Sequence, residues 1–416
     1  MNLYAFILGR KHLLSTAELL HVLNPKDHIV DITHEALIVD LHEPLKEPQE
    51  SLNRLGGTIK IAKIFSELSL SQSDFASPIS EHLIRLFSDR DTKLSYGLSM
   101  YNFSHGYDRQ IKNALMKIKK SLKSEEIKSR FINKNFKNVK NAAIAGEKLL
   151  EDGIDLNIIN GTHNTYIAET VALQDFESYS HRDYDRPARD AKLGMLPPKL
   201  AQMMINLAGF TKLSDQPQSA STLYDPFCGM GTVLTEALLL KFHVVGSDIN
   251  SEVLEGASQN IDWHIQEFSD INPSQLAQPL FPKDATTLES KDLPQLPDCI
   301  VTESYLGPPQ KHLPDPKIMK KNFQHIQETL IRFFRNAHPL IKPHTPIIIS
   351  FAAYRDKNRI HTMDQLPEQI KNLGYKIEPL ISKDIAARHN LKSEQSLLYD
   401  RPDQIVGRQI WKFVRN

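Results

Sequence analysis

The chain has 416 residues, 40% apolar and 24% charged, a globular composition too long for one ordinary domain, so two or three are expected. Its 50 Lys and Arg balance 50 Asp and Glu, which excludes nucleic-acid binding by bulk charge but not by a local basic face. No stretch reaches the ~18 apolar residues of a membrane span, no basic leader precedes the first apolar run, and two cysteines, Cys228 and Cys299, are too few for a disulfide framework or a Cys-rich zinc site, so a cytoplasmic protein with no membrane and no metal is expected.

Leu3–Leu8 reads as a strand and residues 15–23 as a helix, with Ser15 and Glu18 in capping-box spacing. Residues 28–41 suit strands, residues 46–49 form a polar break, and residues 58–65 suit another strand; residues 1–60 thus read as a small α/β unit. From Arg109 to Lys140 eleven basic residues face only two acids, Glu125 and Glu126. They run across an expected helix (111–122), strand (129–132) and helix (138–150). One such helix would be a solvated face; an excess sustained over three elements suits a polyanion. Strands at 154–159 and 166–173 follow, joined by Asn160-Gly161. Residues 180–199, rich in Arg, Asp and Pro, read as a linker.

A helix at 198–208 and a polar loop at 214–221 precede an alternation that lasts to the end of the chain. Strands are expected at 222–224, 243–247, 299–301, 347–351, 375–380 and 407–414. Helices are expected at 232–241, 252–260, 318–337 and 365–372. This alternation means a parallel sheet with helices on both faces.

Four motifs carry chemistry. Leu223-Tyr-Asp225-Pro-Phe227-Cys-Gly229-Met-Gly231-Thr232 lies between a strand and a helix, where glycines let a ligand approach the backbone. It lacks the Gly-Lys-Ser/Thr of a phosphate loop. Asp225 suits a ligand presenting a cation, an amino or sulfonium group. Asp248, in Val244-Val-Gly-Ser-Asp248-Ile249, ends the second strand, where an acid can accept two ribose hydroxyls. Asp284, in Pro282-Lys-Asp284-Ala285, suits an adenine amino group, although surface acids are common. The fourth is Thr302-Glu303-Ser-Tyr305-Leu-Gly307-Pro308-Pro309, which brings a carboxylate for an amine and an aromatic for a planar base to the carboxyl edge of the sheet.

In this order the motifs resemble a class I S-adenosylmethionine-dependent methyltransferase of the amino-methylating branch. The stretches LYAFILGRKHLLSTAEL, SRFINKNFKNVKNAAIAGEKLL, RDYDRPARDAKLGMLPPKLA and LLYDRPDQIVGRQIWKF resemble the THUMP-containing tRNA guanine-N2-methyltransferases, in particular those acting on the guanosine at position 10. The resemblance implies an α/β fold. It would have a C-terminal Rossmann-like domain (201–416) with a seven-stranded, mostly parallel sheet whose last strand is antiparallel. A ferredoxin-like domain (1–60), a THUMP RNA-binding domain (61–178) and a linker (179–200) would precede it.

It implies S-adenosyl-L-methionine as cofactor. Asp225, Phe227, Gly229 and Gly231 would surround the methionine part, Asp248 would bind the ribose and Asp284 the adenine, and Ile249 and Ala285 would also contact the cofactor. Pro197 would stand at the helix near the cofactor carboxylate. Glu303 and Tyr305 would be catalytic, the acid accepting the amine's hydrogen bonds and the ring stacking on a flipped base. Lys117, Lys120, Arg130, Lys134 and Lys137 would hold tRNA, the protein acting as a monomer with room for a small activating subunit. The family usually has Asp or Asn followed by Pro-Pro; here the acid is one methylene longer and the prolines are displaced. Two other readings stay open: a DNA amino-methyltransferase, and a tRNA-binding homologue without catalysis.

Overall fold

The computed structural model describes residues 2–90, 92–104, 106–189, 195–213, 221–269, 271, 280–310, 312–357, 359–401 and 404–416. By its contacts the chain divides into two units: Met1–His12, Asn24–Asn53 and Gly57–Asp175, and Leu13–Leu23, Arg54–Gly56 and Phe176–Asn416.

The N-terminal unit is built on one eight-stranded sheet. Its strands are β1 (Leu3–Leu8), β2 (His28–Ile32), β3 (Ala36–Asp40), β4 (Thr58–Ser69), β5 (Leu94–Tyr101), β6 (Ser129–Phe131), β7 (Ile154–Asn160) and β8 (Asn164–Leu173), in the order β2-β3-β1-β4-β8-β7-β5-β6. The boundary expected at residue 60 falls inside β4. That strand is twelve residues long and pairs with β1 on one edge and with β8 on the other, so one sheet runs through both expected domains. The helices Ala76–Phe87 and Asp108–Ser124 bury Ile79, Leu83, Ile111, Leu115, Ile118 and Leu122 against it, each worth about 1.5–3 kcal/mol.

The helix expected over 138–150 forms only as Asn141–Gly146. Its late start has a tertiary cause. Asn138 spends its side-chain amide on the backbone N–H and C=O of Met100, as Asn133 does on Leu98, so both side chains extend the edge of β5 where β6 stops.

The C-terminal unit holds β9 (Thr222–Asp225), β10 (His243–Asp248), β11 (Phe281–Pro282), β12 (Cys299–Glu303), β13 (Pro346–Asp356), β14 (Arg359–His361), β15 (Tyr375–Glu378), β16 (Ser396–Tyr399) and β17 (Val406–Arg415). The path is β11-β10-β9-β12-β13-β17-β15, with β14 on β13 and β16 on β17. From β11 to β13 neighbours are parallel; β17 runs antiparallel to both β13 and β15. Among the described residues the sheet has nine strands where seven were expected, the short antiparallel β14 and β16 being additions. The order reverses beside β9, so a crevice opens at the carboxyl ends of β9, β10 and β12.

Part of the expected linker is ordered structure. Phe176–Tyr184 is a helix, Arg182 Nε donates to Glu236 Oε1 at 2.8 Å, and Arg186 Nη1 donates to Thr232 Oγ1 at 2.7 Å. Both partners lie on the helix Thr232–Leu239, which begins at the end of the first motif. Residues 190–194 of that linker and 214–220 of the expected polar loop lie outside the described residues. The helix expected near residue 15 is present as His12–Val22, but residues 13–23 belong to the C-terminal unit: Glu18 Oε1 there accepts from Asn206 Nδ2 at 2.7 Å. No described helix is long and apolar enough to cross a membrane.

Candidate active site

Three neighbouring strands end in an acid at the same edge: β9 in Asp225, β10 in Asp248 and β12 in Glu303. The register that pairs Asp225 with Gly246 and Tyr224 with Ile300 brings these ends together. A cavity of ≈110 Å³ lies there, lined by Met195, Leu196, Asp225, Phe227, Gly229 and Glu303 among others. Its size suits one end of a ligand, not a whole cofactor.

Asp225 is 1% exposed. Its Oδ1 accepts from Thr302 Oγ1 at 2.6 Å and from Phe227 N at 3.2 Å. Burial pushes its carboxyl up to about 8; the two hydrogen bonds oppose this, and the charges of Asp248 and Glu303 add to it. Gly229 (φ +52°) and Gly231 (φ +81°) turn the chain from β9 into the helix Thr232–Leu239 with left-handed backbone. A side chain at Gly231 would also press on Ala257 at 3.3 Å. Asn260 supports the turn, its Nδ2 donating to the carbonyls of Met230 and Ala188.

Asp248 Oδ2 accepts from Gly229 N and Oδ1 from Asn250 N, both at 3.0 Å. Each oxygen keeps a lone pair for a further donor. Ile249 beside it is 72% exposed. Asp284 caps its own short turn through Oδ1 and Thr286 N at 2.8 Å, and Ala285 is buried in the sheet core. Pro197 caps the helix Pro198–Leu207; Met195 and Leu196 line the cavity in its place.

Glu303 has a partner that sequence spacing does not reveal. Arg408 Nε, on β17, donates to Glu303 Oε1, with the two side chains 5% and 19% exposed respectively. Ser350 pairs with Glu303, Ala352 pairs with Arg408, and Ser350 and Ala352 share one face of β13. Their small side chains leave room for the guanidinium to reach across. Tyr305 is 43% exposed, with the ring of His325 edge-on at 6.1 Å. Thr302, Arg408, Met195, Leu196 and Val253 are among the members of the site that sequence reasoning did not assign. A hydroxyl preceding the acid was visible; the arginine, over a hundred residues away, gave no local signal.

The basic residues lie in the N-terminal unit. Lys117 and Lys120 stand exposed on the outer face of Asp108–Ser124, and Lys134 and Lys137 are exposed after β6. Arg130 is engaged by Glu147 and Ser95, and Lys117 Nζ lies 3.7 Å from Asp74.

Residues 186–274 match the family model described as an RMKL-like methyltransferase domain. The C-terminal unit has a methyltransferase fold. The crystal structure of TrmN from Thermus thermophilus superposes with a TM-score of 0.52 over 100% of this chain and 99% of that one, at 13% identity, a likeness of fold alone. Two curated relatives are named tRNA (guanine(10)-N2)-dimethyltransferase. The one from Methanothermobacter thermautotrophicus is 43% identical over 71 residues, 17% of this chain and 19% of that protein. The one from Pyrococcus abyssi is 36% identical over 69 residues, 17% and 18%. The matched stretch is thus about a fifth of either relative's length.

Proposed function

We propose that the protein methylates the exocyclic N2 amine of a guanosine in tRNA, at position 10, using S-adenosyl-L-methionine. The observation that carries this is the convergence of Asp225, Asp248 and Glu303 at one sheet edge behind two left-handed glycines. The matched segments of relatives named for that reaction support the choice of substrate.

The donor set fits the cofactor. Asp225, buried and held near 8 in the free protein, faces the place for a cationic ammonium or sulfonium group, which favours the ionised carboxylate. Asp248 keeps acceptor capacity for ribose hydroxyls, with the exposed Ile249 beside it, and Asp284 would take the adenine. When bound, the cofactor supplies an activated methyl, whose carbon–sulfur bond breaks as a carbon–nitrogen bond forms. The protein's task is then positioning. Glu303, fixed at Oε1 by Arg408, presents Oε2 to an N–H of the target amine and stabilises the charge that develops there. This pairing accommodates the extra methylene of Glu303, because the arginine fixes where the longer carboxylate ends. Tyr305 stacks on the guanine, which must leave its helix to arrive. Lys117, Lys120, Lys134 and Lys137 hold phosphates; Arg130 contributes less, being already paired.

Incubation with unmodified tRNA and labelled S-adenosylmethionine, followed by nucleoside mass spectrometry and mapping, tests this reading. N2-methylguanosine at one tRNA site is the expected product. Label in adenine or cytosine of DNA would favour the DNA reading, and no transfer at all would overturn the enzyme.

A further inference from the structure

A second cavity, of ≈620 Å³, lies in the C-terminal unit between the first turns of the helix Pro316–Ala337 and the hairpin of β13 and β14. The methyl-transfer chemistry leaves it unused. Its apolar lining includes Met319, Phe323, Ile360 and Met363, buried or half-buried, with Asp356, His361, Thr362 and Gln327 half-buried beside them. Toward solvent it carries two cations, Lys320 and Arg359, the carboxylate of Asp364 and the amide of Gln324.

This cavity is linked to the catalytic turn through two packed rings. Phe323 stacks on Tyr354, with centroids 4.9 Å apart and planes 29° apart. Tyr354 Oη accepts from Asn322 and stands 2.9 Å from where a Cβ on Gly307 would be. Gly307, at φ +91°, belongs to the turn that carries Glu303 and Tyr305. On the same helix, His325 touches Tyr305.

We propose that this cavity holds the nucleotide adjoining the methylated guanosine in the RNA strand, an inference that rests on the tRNA reading above. A base that swings into the active site leaves its neighbour unstacked. Recognition of an unstacked nucleotide combines an apolar or aromatic platform, hydrogen-bonding groups for the base edge and cations for the phosphate. All three kinds of group line this cavity, and its volume is in the range of small-ligand sites. The mixed charge does not suit a lipid. The carboxylates do not converge as metal ligands: Asp364 Oδ1 accepts from Thr362, and the described residues contain no metal-binding cluster.

Two variants test the proposal without touching the catalytic turn: Lys320→Glu with Arg359→Glu, which reverses the cations, and Gln324→Trp, which fills the space from an exposed position. Both should raise the KM for tRNA by about tenfold, while calorimetry with S-adenosylhomocysteine gives wild-type affinity. A tRNA made abasic at the nucleotide next to the target should lose the same factor with wild-type protein and little more with Gln324→Trp. Efficient methylation with an unchanged KM in both variants would overturn this site and leave the proposed function standing. If wild-type protein transfers no methyl to any tRNA, the parent reading and this one fall together.

Discussion

Asp225 sits at the point where burial and function pull in opposite directions. A carboxyl with an ordinary value near 3.8 is held at about 8 because it is buried, against two hydrogen bonds that favour its charged form. The free protein therefore keeps a proton there through neutral pH, and binding a cationic ligand must release it. Affinity for S-adenosylmethionine should rise with pH, by up to about tenfold per unit between roughly pH 6 and pH 8, and level off above. The folded chain also holds this proton more tightly than the unfolded chain does. Its contribution to stability is therefore present at low pH and lost as pH rises through about 8. Calorimetry across that range checks the first trend, and Asp225→Asn should flatten it. Glu303→Ala should lower turnover by at least ~100-fold with tRNA and cofactor binding near normal, because the lost interaction belongs to the transition state. Glu303→Gln keeps an acceptor but no base, so substantial activity there means positioning. Arg408→Ala leaves the acid in place but unanchored; turnover should fall by about 100-fold with the KM for cofactor unchanged, the signature of lost geometry.

At the scale of elements, the segment Phe176–Tyr184 and the helix Thr232–Leu239 are joined through a buried ion pair. Arg182 and Glu236 have side chains 7% and 0% exposed. The guanidinium also lies over the Tyr179 ring at 4.3 Å. Burial raises the Glu236 carboxyl even though the arginine opposes it, so the pair is a junction more than a source of stability. Arg182→Ala should destabilise the C-terminal unit by about 3–5 kcal/mol, because a buried carboxylate is left alone, and urea unfolding would show it. The double variant Arg182→Met with Glu236→Leu should recover most of that loss. Since this helix begins at Gly231's turn, Arg182→Ala should also weaken cofactor binding more than its distance from the cavity suggests.

At the scale of the molecule, a neutral chain carries a basic face confined to one unit. Helix Asp108–Ser124 buries its apolar side and turns its lysines outward, which alone would be only a solvated surface. The lysines after β6 are exposed as well, so the excess spans more than one element. Charge reversal at Lys117, Lys120 and Lys137 should raise the KM for tRNA and reduce the slope of its salt dependence by about one per lost contact. Cofactor affinity should stay unchanged. A salt titration of tRNA binding decides this: an unaltered slope would make the lysines mere solvated charge.

The sequence by itself determined the alternation of the C-terminal unit and the acids at its strand ends. Both are local signals: period, turn glycines and an acid placed where a strand stops. It also showed the lysine excess, since charge is read by counting. Only the tertiary structure decided that β4 carries one sheet across residue 60, because strand pairing is made by residues far apart in the chain. The same reason hid the Arg182–Glu236 junction in what read as a linker. It shortened the helix after Lys137, where the Asn138 amide bonds to Met100 on β5. It also supplied Arg408 to Glu303 across β13, an ion pair formed by strand order and by the small side chains of Ser350 and Ala352, which no spacing along the chain encodes.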